Sequence, residues 1–447
     1  MSAVRIGGAW LSPDCTQFSR AKGAKPLAKN IRALASVAHR WASEVRPRMF
    51  FCENVPEFLD WGPLDEHDRP IESRKGETFA WWCAVLRSHG YELEWSTLIA
   101  ADYGAPTSRK RLFVAARCDG ARITWPRASH GPGLARPHRT AAECIRWDVR
   151  GASIFGRKRS PAPATLARIA IGVRRFVVEA RNPSPFIVRH GHYSTITGAG
   201  LREGCGAGTF RGQPLDIPLA TVCATNDKHL ICPIITKHYG GVIGHRVDRP
   251  LGTITAKDHH ALTVARMLAG PEHADRSREV AELLRAHGAS GDDVGLVTID
   301  GEVYRIVDIE SRMLIPPELF AAQGFPDDYV IDGLEAAGKP IGTTAQTKLA
   351  GNAVPPPFSA ALVAANLELD DGEGFVDMFA GGGGTSTGVE EALGRSPDAA
   401  INHDEAAIVM HAANHPASIH YREDVFDVNP HRVVRDIAKR WAQQAAA

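Results

Sequence analysis

The 447-residue chain is 44% hydrophobic and 23% charged with a net charge of +1, a composition that excludes intrinsic disorder and leaves room for two or three domains. No basic segment followed by a long apolar run opens the sequence, and no stretch approaches the roughly 18 apolar residues of a membrane span. A cytoplasmic protein without membrane attachment is expected. The eight cysteines, at 15, 52, 83, 118, 144, 205, 223 and 232, form no CxxC pair and no His/Cys cluster at zinc spacing. Disulfide scaffold and structural metal are therefore not expected. Arginine and lysine recur between 109 and 181, in RKR at 109–111, RKR at 157–159, Arg174 and Arg175, which reads either as a phosphate-contacting surface or as a solvated face.

In chain order, VRIGGAWLS reads as a buried strand ending in a Pro-Asp-Cys-Thr turn. NIRALASVAHRWASEV has helical periodicity, and RPRMFFCENV is a second strand. FAWWCAVLRSHG is a helix stopped by glycine; YELEWSTLIAADYG and RLFVAARCD are strands on either side of TSRKR. From about 125 to 310 the texture becomes rich in Pro, Gly, His and Thr. There PLATVCATNDKHL at 218–230 returns as PLGTITAKDHHAL at 250–262, and PFIVRHG resembles PIITKHYG, so this region reads as an irregular, largely β domain with an internal duplication. MLIPPELFAAQGFPDDYVI starts a helix, and GNAVPPPFSAALVAANLEL is a loop followed by another. After an acidic linker, FVDMFAGGGGTSTGVEEALG is strand, glycine turn and helix, followed by a strand at DAAIN, a helix at EAAIVMHAANH and the segment SIHYREDV.

Two places carry chemistry. Glycines after a strand that ends in Asp377 let the backbone approach a ligand beside a helix N-terminus. A nucleotide-like cofactor fits there, as would NAD, a phosphate or a plain tight turn. Cys15 lies in a loop at the carboxyl end of one strand and Glu53 at the end of the next, where open α/β sheets place ligands. A thiolate and a carboxyl facing a pyrimidine permit addition of Cys15 to C6 while Glu53 holds or protonates N3 and the exocyclic amine, which makes C5 nucleophilic. An isolated cysteine is otherwise a small buried apolar residue.

The blocks SPDCTQFS, FCENV, YGAPTSRKRLF, LFAAQGFPDDY, GNAVPP and DMFAGGGG together resemble the signature blocks of the DNA cytosine-C5 methyltransferase family. The resemblance implies an α/β fold of the S-adenosylmethionine-dependent (Rossmann-like) type, a doubly wound seven-stranded sheet with a smaller β-rich target-recognition domain. It implies S-adenosyl-L-methionine as cofactor, no metal, and base flipping from double-stranded DNA. The block order is rotated, since the family's usual order starts at the glycine block. Joining the C-terminus to Met1 restores that order, so circular permutation is expected, with strands from both chain ends in one sheet. Domains are expected at 1–124 (catalytic half), 125–310 (target recognition), 311–368 (return to the catalytic domain) and 369–447 (cofactor-binding half).

By the same resemblance Cys15, Glu53, Arg109 and Arg111 are the catalytic residues, the arginines supporting the loop and contacting the flipped cytosine; a structural ion pair is the other reading of the arginines. Asp377, Phe379, Ala380, Gly381, Gly382, Gly383 and Gly384 flank the cofactor; Asp424 and Val425 bracket its adenine, and Asn352 and Ala353 touch its methionine end. Three positions depart from the family pattern: Asp14 replaces the proline before the cysteine, where a carboxylate disfavours the thiolate; Thr107 replaces glutamine; and the acidic ribose ligand falls on Asn402, followed by His403 and Asp404. Lys228, His229, Lys237, His238, Lys257 and His259 are candidate contacts to phosphates or bases, with structural histidines as the alternative. The expected state is a monomer on DNA, in a bacterial or phage-infected cell, with a cognate restriction endonuclease as functional partner. A catalytically silent DNA-binding protein, an RNA cytosine-C5 methyltransferase and an NAD-dependent oxidoreductase are the rival readings; the last leaves the Cys and ENV blocks unexplained.

Overall fold

The computed structural model describes residues 4–14, 34–180, 186–189, 212–213, 228–238, 243–267, 274–299 and 301–446. Along the chain run β1 (Arg5–Leu11), α1 (Val37–Glu44), β2 (Met49–Asn54), α2 (Glu77–Ser88), β3 (Glu92–Ile99) and β4 (Lys110–Arg117). Next come β5 (Ala152–Ser153), α3 (Pro163–Val173), β6 (Phe186–Arg189), β7 (Gly212–Gln213), β8 (Lys228–Lys237), β9 (Gly244–Arg246), β10 (His260–Arg266) and α4 (Ser277–Ala286). They are followed by β11 (Leu296–Ile299), β12 (Glu302–Arg305), β13 (Asp308–Met313), α5 (Pro316–Gln323), β14 (Glu335–Ala336), β15 (Lys339–Pro340), α6 (Thr343–Asn352) and α7 (Pro356–Asn366). The chain closes with β16 (Glu373–Asp377), α8 (Gly384–Leu393), β17 (Ala399–Ile401), α9 (Glu405–Asn414), β18 (Ile419–Tyr421) and α10 (Pro430–Ala446). Two compact units result, one of Met1–Pro137, Gln323–Phe325 and Tyr329–Ala447, the other of His138–Ala322 and Pro326–Asp328.

The first unit is built on a seven-stranded sheet of order β18-β17-β16-β1-β2-β4-β3. Strands β18 to β2 are parallel, and β4 runs antiparallel to both β2 and β3. Strands from the two ends of the chain thus pair directly, Trp10 of β1 opposite Asp377 of β16, as the rotated block order predicts. The near-continuous apolar runs in these strands have a physical cause, since a parallel sheet is covered on both faces. Successive side chains point to opposite sides. Leu11, Phe50, Cys52 and Val376 pack with Val37 and Trp41 of α1, Trp82 and Leu86 of α2 and Val433 and Ile437 of α10. Trp10, Phe51, Phe113 and Phe375 pack on the other face with Phe358 and Leu362 of α7 and Val389 of α8. Each large side chain so buried contributes roughly 2–3 kcal/mol.

Helices α7 and α8 approach so closely that Gly388 has no room for a side chain: a Cβ there would lie 2.2 Å from the Pro356 carbonyl oxygen and 2.7 Å from the Ala360 nitrogen. Both are backbone atoms and cannot swing aside. Gly388→Ala is expected to cost about 3 kcal/mol through forced separation of the helices, read as a lowered denaturation midpoint at unchanged slope. An unchanged midpoint would show that the pair tolerates displacement.

In the second unit the sheet order is β5-β13-β10-β8-β6-β7, with β9 also on β8; its described pairings are antiparallel. Helices α3 and α4 cover one face through Ile169, Val173, Val280 and Leu284 against Cys232, Ile234, Ala265 and Ile309. The Pro- and Gly-rich texture had not suggested these helices. Buried Glu318 takes a two-pronged ion pair from Arg312 at 2.6 and 2.8 Å and accepts the Arg146 and Ile315 amides. Arg157 donates to the carbonyls of Ala152, Ser153 and Ser311, and Arg174 to that of His287. Those arginines of the basic stretch therefore brace the fold, and a simple solvated face is not what they form. The duplicated segment lies outside the described residues at 218–227, as do Cys15, Cys205 and Cys223.

Candidate active site

In the first unit the parallel strands present their carboxyl ends along one edge: β1 ends at Leu11, β2 at Asn54, β16 at Asp377, β17 at Ile401 and β18 at Tyr421. Strand β4, being antiparallel, begins there, so Arg109 and Arg111 meet the end of β2. The sheet topology thereby gathers residues that stand more than 300 positions apart in sequence at the place where open α/β sheets bind ligands. Cys15 lies outside the described residues, but its approach is held: the side-chain amide of Asn54 donates to the Pro13 carbonyl at 3.2 Å, and Trp10 Nε1 donates to Ser12 Oγ at 2.8 Å.

Glu53 is 7% exposed and lies 2.9 Å from Arg111 Nε. The approach is ionic and off the N–H axis, so Glu53 Oε1 accepts no aligned hydrogen bond and keeps a lone pair for a donor. Arg111 also donates through Nη1 to the Lys110 carbonyl at 2.8 Å. Arg109, 3% exposed, donates to the Gly351 carbonyl at 3.0 Å and so ties the start of β4 to the end of α6. Strand alternation explains the arrangement, because Arg109 and Arg111 share one side while Lys110 turns out to solvent. Thr107 is fully buried. Burial pushes the thiols of Cys52, Cys83 and Cys232 up, Cys83 to about 11 and Cys232 to about 12; none of these is an activated nucleophile.

Asp377 is fully buried at the end of β16, and desolvation pushes its carboxyl up to about 7 against the opposing hydrogen bonds of Ser386 and the Phe379 amide. Ser386 donates to it at 2.9 Å and the Phe379 N–H reaches it at 3.4 Å. The turn itself is pinned by the Ala380 N–H on the Ile401 carbonyl, by Tyr329 Oη donating to the Gly382 carbonyl, and by Thr387 Oγ1 donating to the Gly383 carbonyl. The glycines divide in role. Gly383 has φ +94° and a Cβ there would strike Tyr329 Oη and His415, so protein packing demands it; at Gly381 the nearest atom would be the Phe379 carbonyl at 3.8 Å, which leaves that side open for a ligand. Gly384 begins α8.

Around this turn Asn402 uses its Oδ1 to accept the Asp404 N–H at 2.8 Å, leaving its NH2 to meet a hydroxyl. Asp404 is committed elsewhere: it caps α9 through the Ala406 and Ala407 amides and pairs with Lys348 at 3.0 Å. His403 is exposed. Asp424 is exposed and accepts the Phe426 N–H, while Val425 is packed into the core beneath the sheet. The exposed ring beside Asp424 is Phe426, which no signature block marks. Asn352, placed in a loop by the sequence, is the exposed last residue of α6; Ala353 behind it is buried. An open glycine Cα, the half-buried Phe379 ring, a carboxamide and an exposed carboxylate suit a ligand of nucleoside type. Tyr329, Ser386 and His411 complete the surroundings of the turn; Tyr329 falls in LFAAQGFPDDY, while Ser386 and His411 fall in none of the six signature blocks. Among the described residues no group of His, Cys, Asp and Glu is placed to hold a metal ion, and no helix is long and apolar enough to cross a membrane.

In the second unit, burial lowers the Lys237 ammonium and the rings of His238 and His259 from their ordinary values, and Lys257 is exposed. The side chains of Lys228 and His229 lie outside the described residues.

Residues 10–125 match the model of the C-5 cytosine-specific DNA methylase family. The chain is 31% identical over 115 residues to DNA (cytosine-5)-methyltransferase 1A of Oryza sativa subsp. japonica, covering 26% of this chain and 6% of that protein. It is 30% identical over 129 residues to the type II methyltransferase M.SacI of Streptomyces achromogenes, covering 28% and 29%. Over 359 residues it is 25% identical to DNA (cytosine-5)-methyltransferase 4 of Arabidopsis thaliana, covering 77% and 20%. The chain thus spans less than a third of the length of these relatives. Among solved structures, Spodoptera frugiperda DNMT2 is similar at 12% identity and a TM-score of 0.37, covering 79% of this chain and 77% of that one. The matched segment, 10–125, holds Cys15, Glu53 and both arginines, and over about a quarter of its length the chain is similar to the C-5 cytosine-specific DNA methylases.

Proposed function

We propose that this protein transfers a methyl group from S-adenosylmethionine to C5 of cytosine in double-stranded DNA, through a covalent bond between Cys15 and C6 of a flipped base. The observation that carries the reading is the buried Glu53 carboxylate, held by Arg111 at 2.9 Å with Oε1 accepting no hydrogen bond, on β2 beside β1, the strand that runs on through Ser12 and Pro13 to Asp14. Such a carboxyl holds the N3 and exocyclic amine edge of cytosine. A proton passed from Glu53 to N3 withdraws electrons and makes C6 electrophilic toward the Cys15 thiolate; the adduct makes C5 nucleophilic, and after methylation the C5 proton leaves to a base and the Cys15–C6 bond breaks to release the thiolate. Arg111 keeps Glu53 oriented, and Arg109 fixes the loop that precedes β4. S-adenosylmethionine, when bound, supplies the electrophilic methyl group. Asp377, Phe379, Ala380 and the glycine turn would hold it together with Asn402, His403, Asp424 and the Asn352–Ala353 segment. In this reading the chain is a circular permutant whose catalytic domain is the first unit and whose target-recognition domain is the second, with the main borders at 137/138 and 322/323 in place of the 124/125 and 310/311 expected from the sequence.

The test is incubation with methyl-labelled S-adenosylmethionine and mixed-sequence duplex DNA, then mapping of 5-methylcytosine at base resolution, with an RNA pool in parallel. Label at C5 within one short duplex motif is expected. Retention of DNA without transfer would replace the reading by a silent DNA-binding protein, and label confined to RNA would move the activity to that substrate.

A further inference from the structure

Beneath the glycine turn a line of polar side chains runs from the buried carboxyl toward the outside of the sheet. Ser386 Oγ donates to Asp377 Oδ2 at 2.9 Å; His411 Nε2 lies 2.8 Å from Ser386 Oγ; His420 Nε2 lies 2.8 Å from His411 Nδ1. Asp377, Ser386 and His411 have no solvent exposure, and His420, on β18, is half-buried. A serine hydroxyl has one proton. With that proton given to Asp377, the Ser386 oxygen accepts from His411 Nε2–H, and the neutral His411 then has a bare Nδ1 that accepts from His420 Nε2–H. Every proton in the line points toward Asp377. A buried polar network in which each member is satisfied is rigid, and one missing member leaves the others unpaired at low dielectric.

We propose that Ser386, His411 and His420 are positioning residues for the cofactor turn: they orient the Asp377 carboxyl, which in turn holds the Phe379 amide and the backbone leading to Gly381. The inference rests on the reading of that turn as the S-adenosylmethionine site. Two arrangements carry the same total charge. In one, Asp377 is ionised and His420 is an imidazolium. In the other, each proton has moved one bond toward Asp377, giving a carboxylic acid, a Ser386 hydroxyl, a His411 ring protonated on Nδ1 and a neutral His420. The directions of the individual shifts agree with a balance between the two, since burial raises the Asp377 carboxyl to about 7 and lowers His420. Burial also lowers His411 well below the ordinary value, which keeps it neutral as the line requires. The other charged and titratable groups facing the line are His415, bonded to Glu390 of α8 at 2.9 Å, Tyr329, whose burial raises it, and Arg440 of α10, which disfavours a charged His420. The line ends at the Asp377 carboxyl and the turn that it holds, so it acts on the turn and not on the base.

The variants His420→Ala and Ser386→Ala break the line at its outer and inner links, and His420→Gln keeps a donor toward His411. Equilibrium binding of S-adenosylmethionine is measured from pH 5.5 to 8.5, together with the ring-nitrogen resonances of the histidines and the Phe379 amide in the protein without cofactor. For both alanine variants an affinity loss of about tenfold is expected, with a flattened pH profile and a displaced Phe379 amide, and in Ser386→Ala also loss of the Nε2–H form of His411. His420→Gln is expected to remain within about twofold of the parent. Parent-like affinity, pH profile and Phe379 amide in His420→Ala would overturn the positioning role while leaving the cofactor site intact. Absence of S-adenosylmethionine binding by the parent would instead overturn the reading of the turn, and with it the proposal.

Discussion

Replacing Arg111 by alanine is expected to lower stability by about 3–5 kcal/mol, because it leaves the Glu53 carboxylate buried without its counter-charge. The two side chains are about 10% exposed and 2.9 Å apart, so water cannot compensate the loss. Methyl transfer is expected to fall by at least about 10³-fold, the scale of removing one preorganised polar group from an active site. Arg111→Lys should restore part of the stability without the geometry, since a single ammonium cannot keep both Glu53 and the Lys110 carbonyl satisfied as the forked guanidinium does. In Glu53→Gln/Arg111→Ala the buried charge is gone. Its stability should return to within about 1–2 kcal/mol of the parent while activity stays lost, and a double-mutant cycle in denaturant measures the coupling. If Arg111→Ala were as stable as the parent, Glu53 would be neutral or hydrated in the variant, and the role of Arg111 in holding it would fail.

The second large effect is expected at Cys15. Cys15→Ser should retain cofactor and DNA binding and lose methyl transfer by about 10⁴-fold or more, because an alcohol is a far weaker nucleophile than a thiolate at neutral pH and no other residue takes its place. The buried thiols of Cys52, Cys83 and Cys232 are raised by desolvation and cannot substitute. A duplex carrying 5-fluorocytosine at the target supplies a second readout. Fluorine cannot leave C5 as a cation, so the adduct persists and the parent should migrate as a denaturation-resistant complex that Cys15→Ser does not form. Full activity in Cys15→Ser would remove the covalent mechanism.

Much of this site was legible because its chemistry is local in sequence. A cysteine just past a strand, a Glu-Asn pair at the end of the next strand and two arginines spaced to one face of a third each declare themselves within a few residues. Strand alternation, with two faces buried, also made the sheet readable from apolar runs such as RMFFC and FVDMF. Less of the remainder was accessible. Helix α6 is built from small polar residues and carries a weak apolar stripe, so the sequence pattern does not extend a helix to Asn352. Helices α3 and α4 sit among proline- and glycine-rich flanks that mask their periodicity.

The sequence by itself determined which residue types stand at the ends of which strands, and hence the pairing of a nucleophile with an acid and of a glycine turn with a carboxylate. Only the tertiary structure decided what each group is free to do. It spends Gly383 on Tyr329 and Asp404 on a helix cap and Lys348, buries Val425, and leaves Gly381 open. It also joins Ser386, His411 and His420, which lie on a helix, a second helix and an edge strand. Hydrogen bonding and burial depend on distances across the sheet, and those follow from how the layers pack, which no local pattern of residues encodes.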